Sequence, residues 1–355
     1  NSKVSVLTFD IKSKVTRQVK LPLETGGYIP RIIPTQDANK LAIVTLNRQQ
    51  NRLDLYFADP RSTVCKLAIR DESDTYISEN TFDNIKFYPE NFSFLSEKSG
   101  FNHLYWYTMG GNLVRQVTSG NYEVKEFLGW DGAENAFYYT SNEGSPLQQA
   151  IYKIDRKGKK IKLSSQTGTN NVQFSTDMKY FMNRYTNLQT PLIITLNDNT
   201  GKVLTTLVTN EKLKQKLSQY DIPQKEFFTF QTADGTMLNG WMMKPNGFSS
   251  TKKYPVLMYQ YSGPGSQQVL DSWGISWETY MASRGYVVVC VDGRGTGGRG
   301  AAFEKCTYMK LGVKEAQDQV STAQYLGSLP YVDKNNIGIW GWSFGGYMTL
   351  MSMSE

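Results

Sequence analysis

A hairpin that returns at a near-constant interval constrains this chain more than any other feature. Five segments, LTFDIKSKVTRQV, LYFADPRSTVCKL, LYWYTMGGNLVRQV, IYKIDRKGKKIKL and IITLNDNTGKVLTTL, each read as a strand, a polar turn and a second strand. With the turns placed at Asp10, Asp59, Thr108, Asp155 and Asp198, the spacings are 49, 49, 47 and 43 residues. A β-propeller blade takes roughly 40 to 50 residues for four short strands, so the period predicts one such hairpin per blade. Further strand cues lie between the hairpins: KLAIVTL, AFYYTS and YFMNRYT, each after an acidic turn residue, Asp37, Asp131 and Asp177. A β-sandwich also holds many strands, but that architecture does not bring one hairpin back at a fixed interval. Aromatics such as Tyr105, Trp106 and Tyr107 are expected to pack the blades. The repeats make four to five blades, fewer than a closed propeller usually has, and the sequence starts at Asn1 rather than Met. It is therefore expected to be a piece of a longer polypeptide, with blades preceding Asn1.

Composition agrees with a β-rich globular chain. Hydrophobic types make up 39% of the 355 residues and charged types 20%, with 22 Tyr, 17 Phe and 7 Trp, which excludes disordered, collagen-like and coiled-coil classes. The net charge of +7 is scattered apart from Arg156, Lys157, Lys159, Lys160 and Lys162, which read as a solvated turn. No nucleic-acid partner is expected from so short a basic run. The longest apolar stretch, Tyr286 to Val291, is strand-sized, far below the roughly 18 residues of a membrane helix. Cys65, Cys290 and Cys306 are odd in number and lack ligand spacing, so neither a disulfide framework nor a metal site is expected.

The pattern changes after residue 210. Residues 211–224, EKLKQKLSQYDIPQ, carry a helical charge pattern that stops at Pro223 and are read as a linker. Next, Asp234 and Gly235 interrupt alternating apolar residues as a tight hairpin turn. Beyond Pro255 come short continuous apolar runs, VLMYQY, YVVVCVD and IGIWG, which read as buried parallel strands. Between the last two, Val313, Ala316, Val320, Ala323, Leu326 and Leu329 recur three or four apart as one helical face. The organisation expected is an incomplete β-propeller over 1–210, a linker over 211–224, and the first half of an α/β-hydrolase domain over 225–355.

The third run leads into Gly341-Trp342-Ser343-Phe344-Gly345. This G-x-S-x-G follows a strand and opens a helix, expected over Tyr347 to Met353, which is the setting of a nucleophile elbow rather than of an incidental glycine turn. The turn presents the Ser343 hydroxyl and directs the Phe344 backbone N–H at the oxyanion that develops on attack, beside the positive end of the helix. A serine nucleophile also needs a base, normally His oriented by a carboxylate, and in elbow hydrolases both follow the serine. None of the residues after Ser343 is Asp or His, and the sole histidine, His103, lies in the repeats and reads as a strand-edge polar residue. The sequence thus carries a nucleophile without its base, and alone is expected to be inactive.

Four stretches together resemble the prolyl oligopeptidase family, most closely its dipeptidyl peptidase IV branch in bacterial form: GWSFGGY, DGRGTGGRG, YPVLMYQYSGPGSQ and the opening from Asp234 to Pro245. The resemblance runs over essentially the whole chain. It implies a serine exopeptidase that releases N-terminal dipeptides with penultimate Pro, or less well Ala, through an acyl-enzyme, without metal or cofactor. It makes Ser343 the nucleophile and Tyr261, in the Y-S-G-P segment, a hydroxyl donor to the oxyanion. It further implies that the full-length parent is a homodimer, exported to the periplasm or surface of a bacterium. Branch members often carry Tyr where this chain has Phe344, which removes a phenol contact but not the N–H. The adjacent Glu pair that anchors a substrate's amino terminus in the branch has no counterpart here, so a prolyl tripeptidyl peptidase stays open. So do an acylaminoacyl-type esterase or peptidase, and a non-catalytic propeller scaffold used for binding. The spaced glycines of DGRGTGGRG lack the Lys-Ser/Thr pair of a phosphate-binding loop and are read as supporting the site.

Overall fold

The computed structural model describes residues 3–355. The chain divides into two compact units, Asn1–Gly129 and Trp130–Glu355.

In the first unit a two-stranded hairpin, Leu7–Asp10 with Val15–Gln18, precedes two four-stranded antiparallel meanders. One runs through Tyr28–Pro34, Leu41–Leu46, Arg52–Ala58 and Cys65–Glu72, the other through Lys86–Phe87, Asn91–Ser96, His103–Thr108 and Leu113–Gln116. Each returning hairpin supplies the last two strands of its sheet, as Arg52–Ala58 with Cys65–Glu72 shows. The turn residues were chosen by chemistry: Asp59 Oδ1 accepts the Arg61 N–H at 2.8 Å, and Asp10 Oδ1 accepts that of Ser13 at 2.7 Å. Such a carboxylate reproduces a backbone turn locally. The inner strands are buried almost throughout, and Leu53, Leu55, Phe92, Phe94 and Tyr105 form the core between the sheets. Tyr107 stacks on Phe92 with centroids 5.4 Å apart, which gives the blade aromatics the packing role expected of them. One helix, Glu79–Asp83, capped by the Ser78 side chain, was not legible, because five residues are too few to show a period.

In the second unit Ala136–Ser141, Ala150–Ile154 and Lys160–Lys162 pair antiparallel. A further four-stranded meander follows through Thr169–Phe174, Tyr180–Asn187, Thr190–Asp198 and Val203–Val208. Here Asp155 and Asp198 play the part of Asp59: Asp155 Oδ1 accepts from Lys159 N at 2.8 Å, and Asp198 Oδ1 from Thr200 N at 2.9 Å.

Helix α1 (Glu211–Leu217) then leads to five strands: β1 (Lys225–Gln231), β2 (Met237–Met243), β3 (Tyr254–Tyr259), β4 (Val287–Asp292) and β5 (Val332–Trp340). Their order is β1-β2-β4-β3-β5, with β1 and β2 antiparallel and β3, β4 and β5 parallel. Helix α2 (Trp277–Ser283) precedes β4, α3 (Val313–Gly327) precedes β5, and α4 (Phe344–Ser354) follows it. Every residue of β4 is buried, which is why VVVCVD reads as an unbroken apolar run. Val287, Val289 and Val291 pack with Leu326 of α3 on one face of the sheet, and Val288 and Cys290 with Ala282 of α2 on the other.

Helix α3 departs from its expected apolar face. Ala316 and Leu326 are buried, but Val313 is 46% exposed, while Glu315, Asp318, Gln319 and Thr322 are buried. These polar groups have partners. Asp318 takes Arg294 through both carboxylate oxygens, Glu315 accepts the Gly312 N–H at 3.0 Å, and Thr322 Oγ1 donates to Asp318 O at 2.7 Å.

Candidate active site

Strand β5 ends at Trp340, in register with Tyr259 of β3, and the Gln260 N–H donates to Trp340 O at 3.2 Å. The chain then turns within three residues. Ser343 takes φ +57° and ψ −116°, a strained combination for a residue with a side chain, and stands exposed directly before α4. Its carbonyl accepts from Gly346 N at 2.9 Å and Tyr347 N at 3.2 Å, closing the first turn of a helix that starts at Phe344, earlier than the pattern suggested.

The flanking glycines answer to close approach. A β-carbon at Gly341 would lie 2.4 Å from the Gln260 carbonyl oxygen, and one at Gly345 would lie 2.6 Å from the same atom and 3.3 Å from Tyr261 Cα. The end of β3 thus occupies the space that side chains on the elbow would need, and this brings Tyr261 to the Ser343 turn. Its ring lies 6.3 Å from that of Phe344, centroid to centroid. The N–H groups of a helix's first turn have no intrahelical acceptor, and the helix dipole is positive there, so the Phe344 N–H can receive a developing negative charge. The structure therefore brings Ser343, Phe344 and Tyr261 to one end of the parallel strands.

Loops at the same end are tied by buried polar groups. Asp292, the last residue of β4, accepts the N–H groups of Gln268 at 2.9 Å and Val269 at 2.7 Å, which closes the segment after Tyr261. Burial pushes its carboxyl up to about 7 against the pull of those two N–H groups. Arg294 spans from Asp318 to Asp234, and hydrogen bonds from Thr232, Thr236 and Arg294 hold the Asp234 carboxyl well below its ordinary range. Burial raises the Glu315 carboxyl. Within the second unit the hydrolase loops also bind blade segments: Gln267 Nε2 donates to Pro146 O at 2.6 Å, Asn142 Nδ2 to Gly298 O at 2.7 Å, and Leu188 N to Asp271 Oδ1 at 2.9 Å.

His103 stands at the edge of its strand, as expected, but it is buried rather than open to solvent. It begins its strand but is 1% exposed, with Nδ1 3.0 Å from Thr118 Oγ1, Nε2 2.9 Å from Gly120 O, and its ring edge-on to Tyr122. A ring engaged at both nitrogens is a structural histidine. Among the described residues no group of three His, Cys, Asp or Glu side chains could hold a metal, and no helix is long and apolar enough to cross a membrane. Cys65, Cys290 and Cys306 are free thiols.

Sequence reasoning missed Gln260, Asp318 and Gln319. A polar residue inside the apolar run VLMYQY was a signal for Gln260, whereas the buried polar face of α3 leaves none in an apolar periodicity.

Comparison with known proteins decides the family. Residues 1–192 match the family described as dipeptidyl peptidase IV (DPP IV) N-terminal region, and residues 273–355 match the prolyl oligopeptidase family. The chain belongs to the dipeptidyl peptidase IV family. Within that family it is 36% identical over 264 residues to the "Probable dipeptidyl-aminopeptidase B" of Arthroderma otae, covering 72% of this chain and 29% of that protein. It is 31% identical over 358 residues to the "Probable dipeptidyl peptidase 4" of Aspergillus fumigatus, covering 93% and 47%. The crystal structure of Porphyromonas gingivalis dipeptidyl peptidase 4 superposes with a TM-score of 0.96 at 46% identity, over 98% of this chain and 50% of that one. The chain thus spans about half the length of that solved structure, and less than a third of the Arthroderma protein. Its fold is part of a β-propeller followed by the first part of an α/β-hydrolase domain.

Proposed function

We propose that the whole protein is a serine exopeptidase that releases N-terminal dipeptides with penultimate Pro or Ala through an acyl-enzyme. Ser343 is its nucleophile, and the Phe344 N–H and Tyr261 hydroxyl are its oxyanion donors. The single observation that carries this reading is the Ser343 elbow, at φ +57° and pressed against the Gln260–Tyr261 backbone. The names of the relatives, dipeptidyl peptidase 4 and dipeptidyl-aminopeptidase B, support the dipeptidyl assignment.

The chemistry follows from the parts. Ser343 Oγ attacks the scissile carbonyl as a general base removes its proton, and two fixed donors stabilise the oxyanion. Collapse then expels the amine, and water releases the dipeptide. No Asp or His follows Ser343 in this sequence and His103 is engaged at both ring nitrogens, so none of the residues of this sequence is assigned as the base. Residues 1–210 serve as propeller, 211–224 as linker and 225–355 as the catalytic part, and the complete protein acts as a homodimer.

The test is hydrolysis by the full-length protein of Gly-Pro-anilide, its N-acetylated form, a Pro-containing tripeptidyl anilide and a short acyl ester. Turnover of Gly-Pro-anilide that is lost on N-acetylation is expected. Preference for the tripeptidyl anilide, the blocked substrate or the ester would contradict dipeptidyl specificity.

A further inference from the structure

We propose that Gln260 and Gln319 are positioning residues for Tyr261, two buried amides that fix the backbone on either side of the tyrosine and so aim its hydroxyl. The inference rests on the reading of Tyr261 as an oxyanion donor. On one side, fully buried Gln260 donates through Nε2 to Gly345 O at 2.6 Å and to Thr349 Oγ1 at 3.2 Å, which ties the end of β3 to the first turns of the nucleophile helix. On the other, buried Ser262 takes the left-handed φ of +59°, and its Oγ accepts from Gln319 Nε2 at 3.2 Å. The same amide donates to Val291 O at 3.1 Å, so Ser262 is held to both α3 and β4. Tyr261 therefore sits between a residue pinned to the elbow and one pinned to the sheet.

The direction of each amide follows from its partners. Gly345 O and Val291 O can only accept, so both glutamines must present their NH₂ groups to them. Both Oε1 atoms are then left buried without a hydrogen-bond partner among the described residues. An apolar side chain of the same size would avoid that desolvation penalty, so this arrangement serves geometry better than it serves stability. Ser262 points the same way, since glycine would adopt its φ without strain but would offer Gln319 no oxygen. The ring also has close neighbours: a β-carbon at Gly263 would lie 2.5 Å from it, and the Phe344 ring is tilted to it by 49° with the centroids 6.3 Å apart.

The experiment uses the full-length protein with Gly-Pro-anilide as probe. Gln260→Met, Gln319→Met and Ser262→Gly are made in the wild-type and Tyr261→Phe backgrounds, with fluorophosphonate labelling of Ser343 counting folded sites. Ser262→Gly removes the same hydrogen bond without touching α3, and it keeps the test open if a glutamine variant fails to fold. In the wild-type background kcat per labelled site is expected to fall about ten- to a hundredfold with KM nearly unchanged, since small misplacements of a catalytic group have effects of that order. In the Tyr261→Phe background the same changes are expected to do little more. An impaired Tyr261→Phe variant to which these losses simply add would overturn the positioning role alone. A Tyr261→Phe variant with unchanged kcat would overturn the oxyanion reading and the positioning role together.

Discussion

Replacing Gly341 by alanine tests whether the contact between β3 and the elbow holds the site together. The added methyl would stand 2.4 Å from Gln260 O and 2.7 Å from both the Cα and carbonyl carbon of Gly345. All three are backbone atoms, so no side-chain rotation relieves the overlap, and carbon normally approaches such atoms no closer than about 3.5 Å. The elbow and the end of β3 must separate by several tenths of an ångström or more. Overpacking of this kind costs about 1–3 kcal/mol. The effect on turnover is larger, because a displacement near 1 Å between nucleophile and oxyanion donors can cost about a hundredfold. Gly346→Ala, in the first turn of α4, is the internal control: its β-carbon would meet Gly341 O at 3.5 Å, an ordinary contact. That variant is expected to be neutral or stabilised by up to about 1 kcal/mol through helix propensity. Urea denaturation and steady-state hydrolysis of Gly-Pro-anilide by the full-length variants give both numbers. Equal behaviour of the two alanine variants, or wild-type turnover by Gly341→Ala, would refute the reasoning.

Other outcomes follow from the same geometry. Asp292 titrates near 7 when folded and near 4 when unfolded, so it binds its proton more tightly in the native state. Its contribution to stability is present below about pH 4 and lost as pH rises through 7, which makes wild type lose about 3 kcal/mol more than Asp292→Asn between pH 5 and pH 8 in denaturant titrations. The turn aspartates Asp59, Asp155 and Asp198 have the opposite sign: backbone N–H groups and the Thr200 hydroxyl lower their carboxyls, so the stability they confer is present at neutral pH and fades below about pH 4. Asp318→Ala leaves the largely buried Arg294 guanidinium with the half-exposed Asp234 carboxylate as its remaining ion-pair partner and is expected to destabilise by about 1–3 kcal/mol in the same titrations.

The parts of the fold that were legible are those whose signal is local and repeated. The hairpin period marked the last two strands of successive sheets because each turn needs a residue such as Asp59 that binds its own backbone, and that need recurs with every blade. The elbow was legible because Gly341 and Gly345 answer to one carbonyl oxygen, which leaves glycine the only choice at both positions. What escaped was polar burial. Asp318 and Gln319 look like solvent-facing residues in the helical pattern, and only the loop carrying Arg294 and the strand carrying Val291 turn them inward. The burial of His103 escaped for the same reason, since its partners Thr118 and Gly120 come from chain well beyond its own strand.

The central claim, that Ser343 forms the acyl-enzyme, is tested most directly by reacting the full-length protein with a fluorophosphonate and mapping the adduct by peptide mass spectrometry beside Gly-Pro-anilide turnover. The adduct is expected on Ser343 alone, with turnover lost in proportion to labelling and lowered by about 10⁴-fold or more in Ser343→Ala. Labelling at another residue, or robust turnover by Ser343→Ala, would contradict it.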